Sequence, residues 1–276
     1  MTFSKKKALF WVMVIYILCN IVRYIEFLFI KTDKTFLSEN IICKLFTIAV
    51  IFFVLYKLGW KWQTLGFVKN HFLKNALFGL ALGISTFTIS YFIENIILLC
   101  MGKHPHINFF ITNFAISNQN ISSAAFATVL VCVIGNIVNV WAEEGLFRGL
   151  FFKIMKETYT EKQSNFFQAL LFGLWHIVTV IVWLTEGSIN ILPAILLSVG
   201  YVILSGILAY EWGMCIGLAG TIWVGAFEHF FNNFVTNSLH TVTETGIDEM
   251  QIIRIVLSNI LSLIFVLLIS KKKSNR

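Results

Sequence analysis

The stretch "NVWAEEGLFRGLFF", residues 139–152, places Glu143, Glu144 and Arg148 inside a run that otherwise reads as membrane helix. A charge at the centre of a membrane helix costs roughly 2.5–3.5 kcal/mol even on lenient scales. Such residues persist where they pair with one another or where function needs them. Glu144 and Arg148 stand four apart, on one helical face, with the acid N-terminal to the base. Their pairing makes both tolerable and leaves Glu143 as the carboxylate without a partner. Asn136, Asn139 and Glu143 recur at spacings of three and four, so they form one polar stripe aimed at a bundle interior.

Composition agrees with a membrane setting. Of 276 residues, 58% are hydrophobic and only 13% charged, about half the charge of a soluble domain. The formal charge of +7 is therefore read through membrane topology, and no nucleic-acid partner is expected. The five cysteines lie in or beside apolar runs with no paired spacing, which argues against a disulfide frame or a cysteine zinc site. The N-terminus resembles a signal peptide's basic and apolar regions. Its apolar stretch continues past residue 25 without a small-residue cleavage site, so a retained first helix is expected.

At about 20 residues per span, eight helices are predicted near 8–30, 42–57, 75–100, 122–152, 165–184, 190–210, 220–237 and 250–270. The expected fold is all-α: one integral membrane domain over residues 1–276, with a motif-bearing core at about 122–237 surrounding a membrane-embedded cavity. Residues 58–74, "LGWKWQTLGFVKNHFLK", read as a basic interfacial helix. Residues 102–121, with Pro105, read as a loop, and the Gly-rich "GMCIGLAG" as an irregular lead-in to the seventh helix. Lysines at 5–7, arginine and lysines at 271–276, and Lys57, Lys61, Lys69 and Lys74 place both termini in the cytoplasm.

Two further stretches carry chemistry. In "FGLWHIV", Phe172 and His176 are one turn apart; in "GTIWVGAFEHFFNNF", His229 and Asn233 are. The other four histidines, His71, His104, His106 and His240, are assigned to loops or interfaces. Counting rise per residue brings Glu143, His176 and His229 toward the cytoplasmic half of one bundle. A buried carboxylate acts as general base on water, and an imidazole relays the proton. A second imidazole with an amide one turn away supplies donors toward an oxyanion. Glu143, His176 and His229 alternatively ligate a zinc ion with one position open. Spacing does not separate the two.

The chain resembles the CPBP family, the CAAX-protease and bacteriocin-processing intramembrane endopeptidases (also called the Abi family). Three motifs carry the resemblance in order: EExxxR in Glu143, Glu144 and Arg148; FxxxH in Phe172 and His176; HxxxN in His229 and Asn233. "GTIW" before His229 is also similar to the usual lead-in of the last motif. The resemblance implies about eight helices around a cavity open to membrane and cytoplasm. It implies that Glu143 activates water with His176, that Glu144 assists or supports while paired with Arg148, and that His229 and Asn233 form the oxyanion hole. A metal-free, glutamate-based mechanism fits the family better than zinc, so no cofactor is expected.

The remaining polar residues receive structural readings: an Arg23–Glu26 pair on the first helix, an interhelical hydrogen bond for Glu94, and packing or support for Glu228 and Asn232. Gly145 and Gly149 suit close helix packing. The expected function is an intramembrane endopeptidase acting on a peptide or a lipidated, membrane-tethered protein, in a bacterial plasma membrane. The alternative is a noncatalytic bacteriocin-immunity or regulatory protein of the same fold. The Ile, Phe, Lys and Asn bias favours bacteriocin or signalling-peptide processing over prenylated substrates.

Overall fold

The computed structural model describes residues 4–35, 39–112, 121–122 and 126–274. Part of the expected loop, residues 113–120, the start of the fourth predicted helix, residues 123–125, and Arg276 lie outside them. Helix α1 (Lys5–Ile25) starts on Ser4, whose hydroxyl accepts from the Lys7 amide, and runs on as a π-helical turn over Glu26–Ile30. Helices α2 (Ile41–Leu58) and α3 (Phe72–Cys100) follow. Helix α4 (Phe126–Glu143) widens into a π-helix at Glu144–Phe151 and ends as the short α5 (Phe152–Lys156). Then come α6 (Glu161–Trp175), α7 (Ile177–Thr185), α8 (Ile191–Ala219), α9 (Trp223–Ser238) and α10 (Gln251–Ser274).

Seven of these segments among the described residues are long and apolar enough to cross a membrane. Helix α9, 16 residues long, is an eighth, enclosed segment packed against α3, α4 and α8. Large apolar side chains cover the outer faces, as at Ile191, Leu192, Leu196 and Phe92, where lipid rather than water is the natural neighbour. The chain is an all-α integral membrane protein, with its helices close to the predicted positions.

Four expectations need correction. "GMCIGLAG" is no irregular lead-in: α8 continues through Ala219, and only Gly220 to Ile222 break the helix. The reason is close packing, since a Cβ on Gly213 would overlap the Asn165 side chain of α6. Residues 58–74 form no interfacial helix. A short 3₁₀ turn at Trp62–Leu65 ends at Gly66, whose φ of 98° suits only glycine without strain. The Gly66 carbonyl then accepts from the Ile222 amide and the Thr221 hydroxyl, and the Trp223 indole donates to the Val68 carbonyl, so this segment braces the start of α9.

The third correction concerns residues 102–121, which contain strands. Strand β1 (His106–Phe109) pairs antiparallel with β4 (Leu239–Val242), His106 opposite Val242; β2 (Ile111–Thr112) pairs with β3 (Ile121–Ser122). His240 is correspondingly buried in β4, not in a loop. Its Nδ1 lies 3.2 Å from an Asp248 carboxylate oxygen and its Nε2 3.2 Å from the Phe110 carbonyl. Arg254 of α10 donates to Asp248 and to Glu94 of α3, the latter at 2.6–2.7 Å. Glu94 thus makes the interhelical bond expected of it, as a salt bridge. Fourth, Arg23 and Glu26 do not pair. Glu26 instead accepts from the Ile42 and Cys43 amides at the start of α2, where helix N–H groups lack partners of their own.

Candidate active site

The site is built on the widened end of α4. In a regular α-helix adjacent residues point about 100° apart, which would separate Glu143 from Glu144. The helix passes from α to π geometry between them, a feature frequent at functional sites. Both carboxylates reach the same imidazole of α9: His229 Nδ1 lies 2.9 Å from Glu144 Oε1, and its Nε2 lies 3.6 Å from Glu143 Oε2. The His229 ring is stacked on Trp212 of α8 at 4.3 Å between centroids.

Behind His229, Arg148 holds Glu144 with two hydrogen bonds, Nε to Oε2 at 2.8 Å and Nη2 to Oε1. Both residues are sealed from solvent. The guanidinium lies over Phe172 at 4.2 Å and Trp212 at 4.9 Å, faces that attract a cation. An ionised Glu144 only accepts hydrogen bonds, so Nδ1 of His229 carries the proton toward it.

Glu143 is not without partners. The Trp175 indole donates to its Oε1 at 2.9 Å, Asn139 reaches Oε2 at 3.5 Å, and Arg23 Nη1 lies 3.8 Å away. Arg23, 4% exposed, is held between the Phe27 and Trp175 rings, each 4.6 Å from its guanidinium carbon. Sequence reading missed both residues. A cation inside an apolar first span was the available signal for Arg23, and the nearby Glu26 accounted for it in the sequence; Trp175 looked like one more aromatic in an aromatic-rich helix.

His176 sits at the break between α6 and α7, where a continuous helix was expected. Its Nδ1 lies 2.9 Å from the Phe172 carbonyl. A carbonyl accepts only, so Nδ1 is the protonated nitrogen and the neutral ring keeps a lone pair on Nε2. Phe172 packs edge-on against both histidines, so the FxxxH motif sets the ring by its main chain as well as its side chain.

Glu143, His176, His229 and Asn233 line one cavity of about 210 Å³, walled by α1, α2, α4 and α6–α10. Part of the wall is apolar, with Tyr201, Leu204 and Leu208 of α8. Glu144 and Arg148 stand behind it. Gly145 and Gly149 lie against Ile51 and Leu65, in the close-packing role expected. Glu228 and Asn232 turn to α10: Glu228 contacts Ser262, and Asn232 donates to Asn259 at 2.9 Å.

Among the described residues, no three His, Cys, Asp or Glu side chains are arranged to hold one metal ion. Glu143, His176 and His229 share the cavity wall but do not form a ligand set in this geometry.

The fold and site define a polytopic α-helical membrane protein with a carboxylate–imidazole cluster facing an intramembrane cavity. Residues 125–235 match the family model for Rce1-like proteins, described as type II CAAX prenyl endopeptidase Rce1-like. The match bears out the CPBP resemblance and takes in all three motifs, from Glu143 to Asn233. No curated protein matches the chain.

Proposed function

We propose that the protein is an intramembrane endopeptidase that hydrolyses a peptide bond of a membrane-associated or lipidated peptide or protein. The observation that carries this reading is the His229 imidazole shared by Glu143 and Glu144 at the wall of the cavity. Glu143 removes a proton from a water molecule as the water oxygen attacks the scissile carbonyl carbon. Trp175 and Arg23 hold that carboxylate in one orientation, which general-base catalysis requires.

The developing oxyanion needs donors aimed at it before reaction. We assign that role to His229 and Asn233, one turn apart on α9 at the cavity wall. His176 offers its Nε2 lone pair as the station that takes the proton on and returns it to the leaving amine. Glu144 and Arg148 support the site by fixing His229.

The reading uses no metal, and cleavage is expected to persist when the purified protein is treated with a chelator. Bacterial origin, cytoplasmic termini, and bacteriocin or signalling-peptide substrates belong to the same proposal and rest on composition and charge placement. The decisive experiment compares peptide termini in host membranes carrying the wild-type chain or its Glu143→Gln variant at equal abundance. New termini found only with the wild type support the endopeptidase and name its substrate. Identical termini despite a Glu143-dependent phenotype turn the assignment to a noncatalytic immunity or regulatory protein.

A further inference from the structure

The HxxxN motif does not end at Asn233. His229, Asn233 and Asn237 follow one another at four-residue steps along α9, and all three line the cavity. Four residues advance a helix by about 6 Å, while two residues of an extended peptide advance by roughly 6.6 Å. The polar groups of this stripe therefore repeat at nearly the spacing of successive same-side main-chain groups in an extended strand. From His229 to Asn237 the stripe runs about 12 Å, the length of three to four extended residues.

Two hydrogen-bonding atoms beside this stripe are buried and lack partners among the described residues: the carbonyl oxygen Oδ1 of Asn237 and the amide nitrogen Nδ2 of Asn259. Asn259, on α10, is 2% exposed and lines the same cavity. Its own Oδ1 is occupied by Asn232 Nδ2 at 2.9 Å, which leaves its amide N–H groups without a partner among the described residues. An unsatisfied buried donor or acceptor is costly, and here one of each belongs to residues that line the same space. A peptide group, with one N–H and one C=O, is the complement to that pair. On α4, Asn136 and Asn139 spend their amide nitrogens on Cys132 and Glu143 of their own helix.

We infer that the α9–α10 face of the cavity is a main-chain binding strip for an extended peptide, with Asn259 donating to a peptide carbonyl and Asn237 accepting from a peptide N–H. This deepens the endopeptidase reading and rests on it. The strip reads backbone rather than side chains, so it admits an extended segment with little regard to sequence. It sets where that segment lies relative to Glu143.

The test uses the full-length Glu143→Gln protein in nanodiscs, which binds without turnover. The probe is an N-palmitoylated octa-alanine amide, titrated against empty nanodiscs as the blank. A second probe carries N-methyl groups at alternate residues and so lacks those N–H donors. The expected result is saturable binding of the first probe and about tenfold weaker binding of the second, the size of one lost hydrogen bond. Asn259→Leu and Asn237→Leu, each added to Glu143→Gln, are expected to weaken the first probe by about tenfold. Asn237→Leu is also expected to shrink the difference between the probes.

Binding equal for the two probes, or none beyond the blank, overturns the inference, and that comparison needs no second substitution to fold. If wild-type cleavage of host peptides persists beside such a result, only the strip is wrong. If cleavage is absent as well, the endopeptidase reading has failed.

Discussion

Glu143 combines full burial with three unlike neighbours: an indole donor, an imidazole and a guanidinium. Glu143→Gln preserves its shape and removes its charge, so cleavage is expected to vanish while membrane insertion and thermal unfolding stay unchanged. Trp175→Phe is a subtler test. It keeps the ring under Arg23 but deletes a hydrogen bond to a carboxylate, worth about 1.5–3 kcal/mol. A loss of at least about tenfold in the cleavage rate is expected, with the protein's unfolding temperature little changed. Arg148 behaves differently, because its guanidinium is the partner of a buried acid. Arg148→Met leaves Glu144 uncompensated, and breaking such a pair costs about 3–5 kcal/mol. A sharp fall in the detergent melting temperature is the expected outcome. A normally folded Arg148 variant beside a misfolded Glu143 variant would reverse the roles given to the two acids.

Among the elements, the β1–β4 pair and α10 are joined by a charged clamp in which Asp248 and His240 lie outside the membrane spans and Arg254 stands at the start of one. Burial opposes ionisation of Asp248, yet hydrogen bonds from His240 and Arg254 outweigh it and hold the carboxyl below its ordinary value of 3.8. A carboxylate depressed in the folded state contributes stability above its unfolded value and loses it as pH falls through the folded one. The Asp248 contribution to the clamp should therefore hold from neutral pH down to about pH 4 and be lost below it. Hydrogen exchange of residues 239–242 should report that step, and Asp248→Asn should abolish the pH dependence while raising exchange at neutral pH. The α6–α8 contact offers a separate check. Gly213→Ala pushes into Asn165, which donates to the Tyr210 carbonyl and accepts from Gln168. Overpacking of this kind costs about 1–3 kcal/mol, measurable as a lowered melting temperature.

For the molecule as a whole, the proposed orientation puts both termini in the cytoplasm and the β-strands outside. Cys100, at the end of α3, is exposed, whereas Cys19, Cys43 and Cys215 are buried and Cys132 is partly covered. A membrane-impermeant maleimide added to intact cells should label Cys100, and Cys100→Ser should remove the signal. Labelling only after lysis would invert the topology.

Helix number and approximate position were legible in the chain because apolar runs of bilayer length have few other destinations in water or lipid. The motif residues were legible because ions and amides in such runs stand out against a cost of several kcal/mol. The Glu144–Arg148 pair followed from four-residue spacing alone. What lay beyond that reading depends on contacts between residues far apart in the chain. Arg23 and Trp175 come to Glu143 from α1 and α6, and no periodicity links positions 23, 143 and 175. The π-turn that begins at Glu144, beside the two acids that share His229, is a departure from the regular period on which spacing arguments rest. The Gly-rich end of α8 stays helical because Asn165 packs into the space a side chain would fill. Local sequence reports the cost of a buried group; only packing decides which distant group repays it.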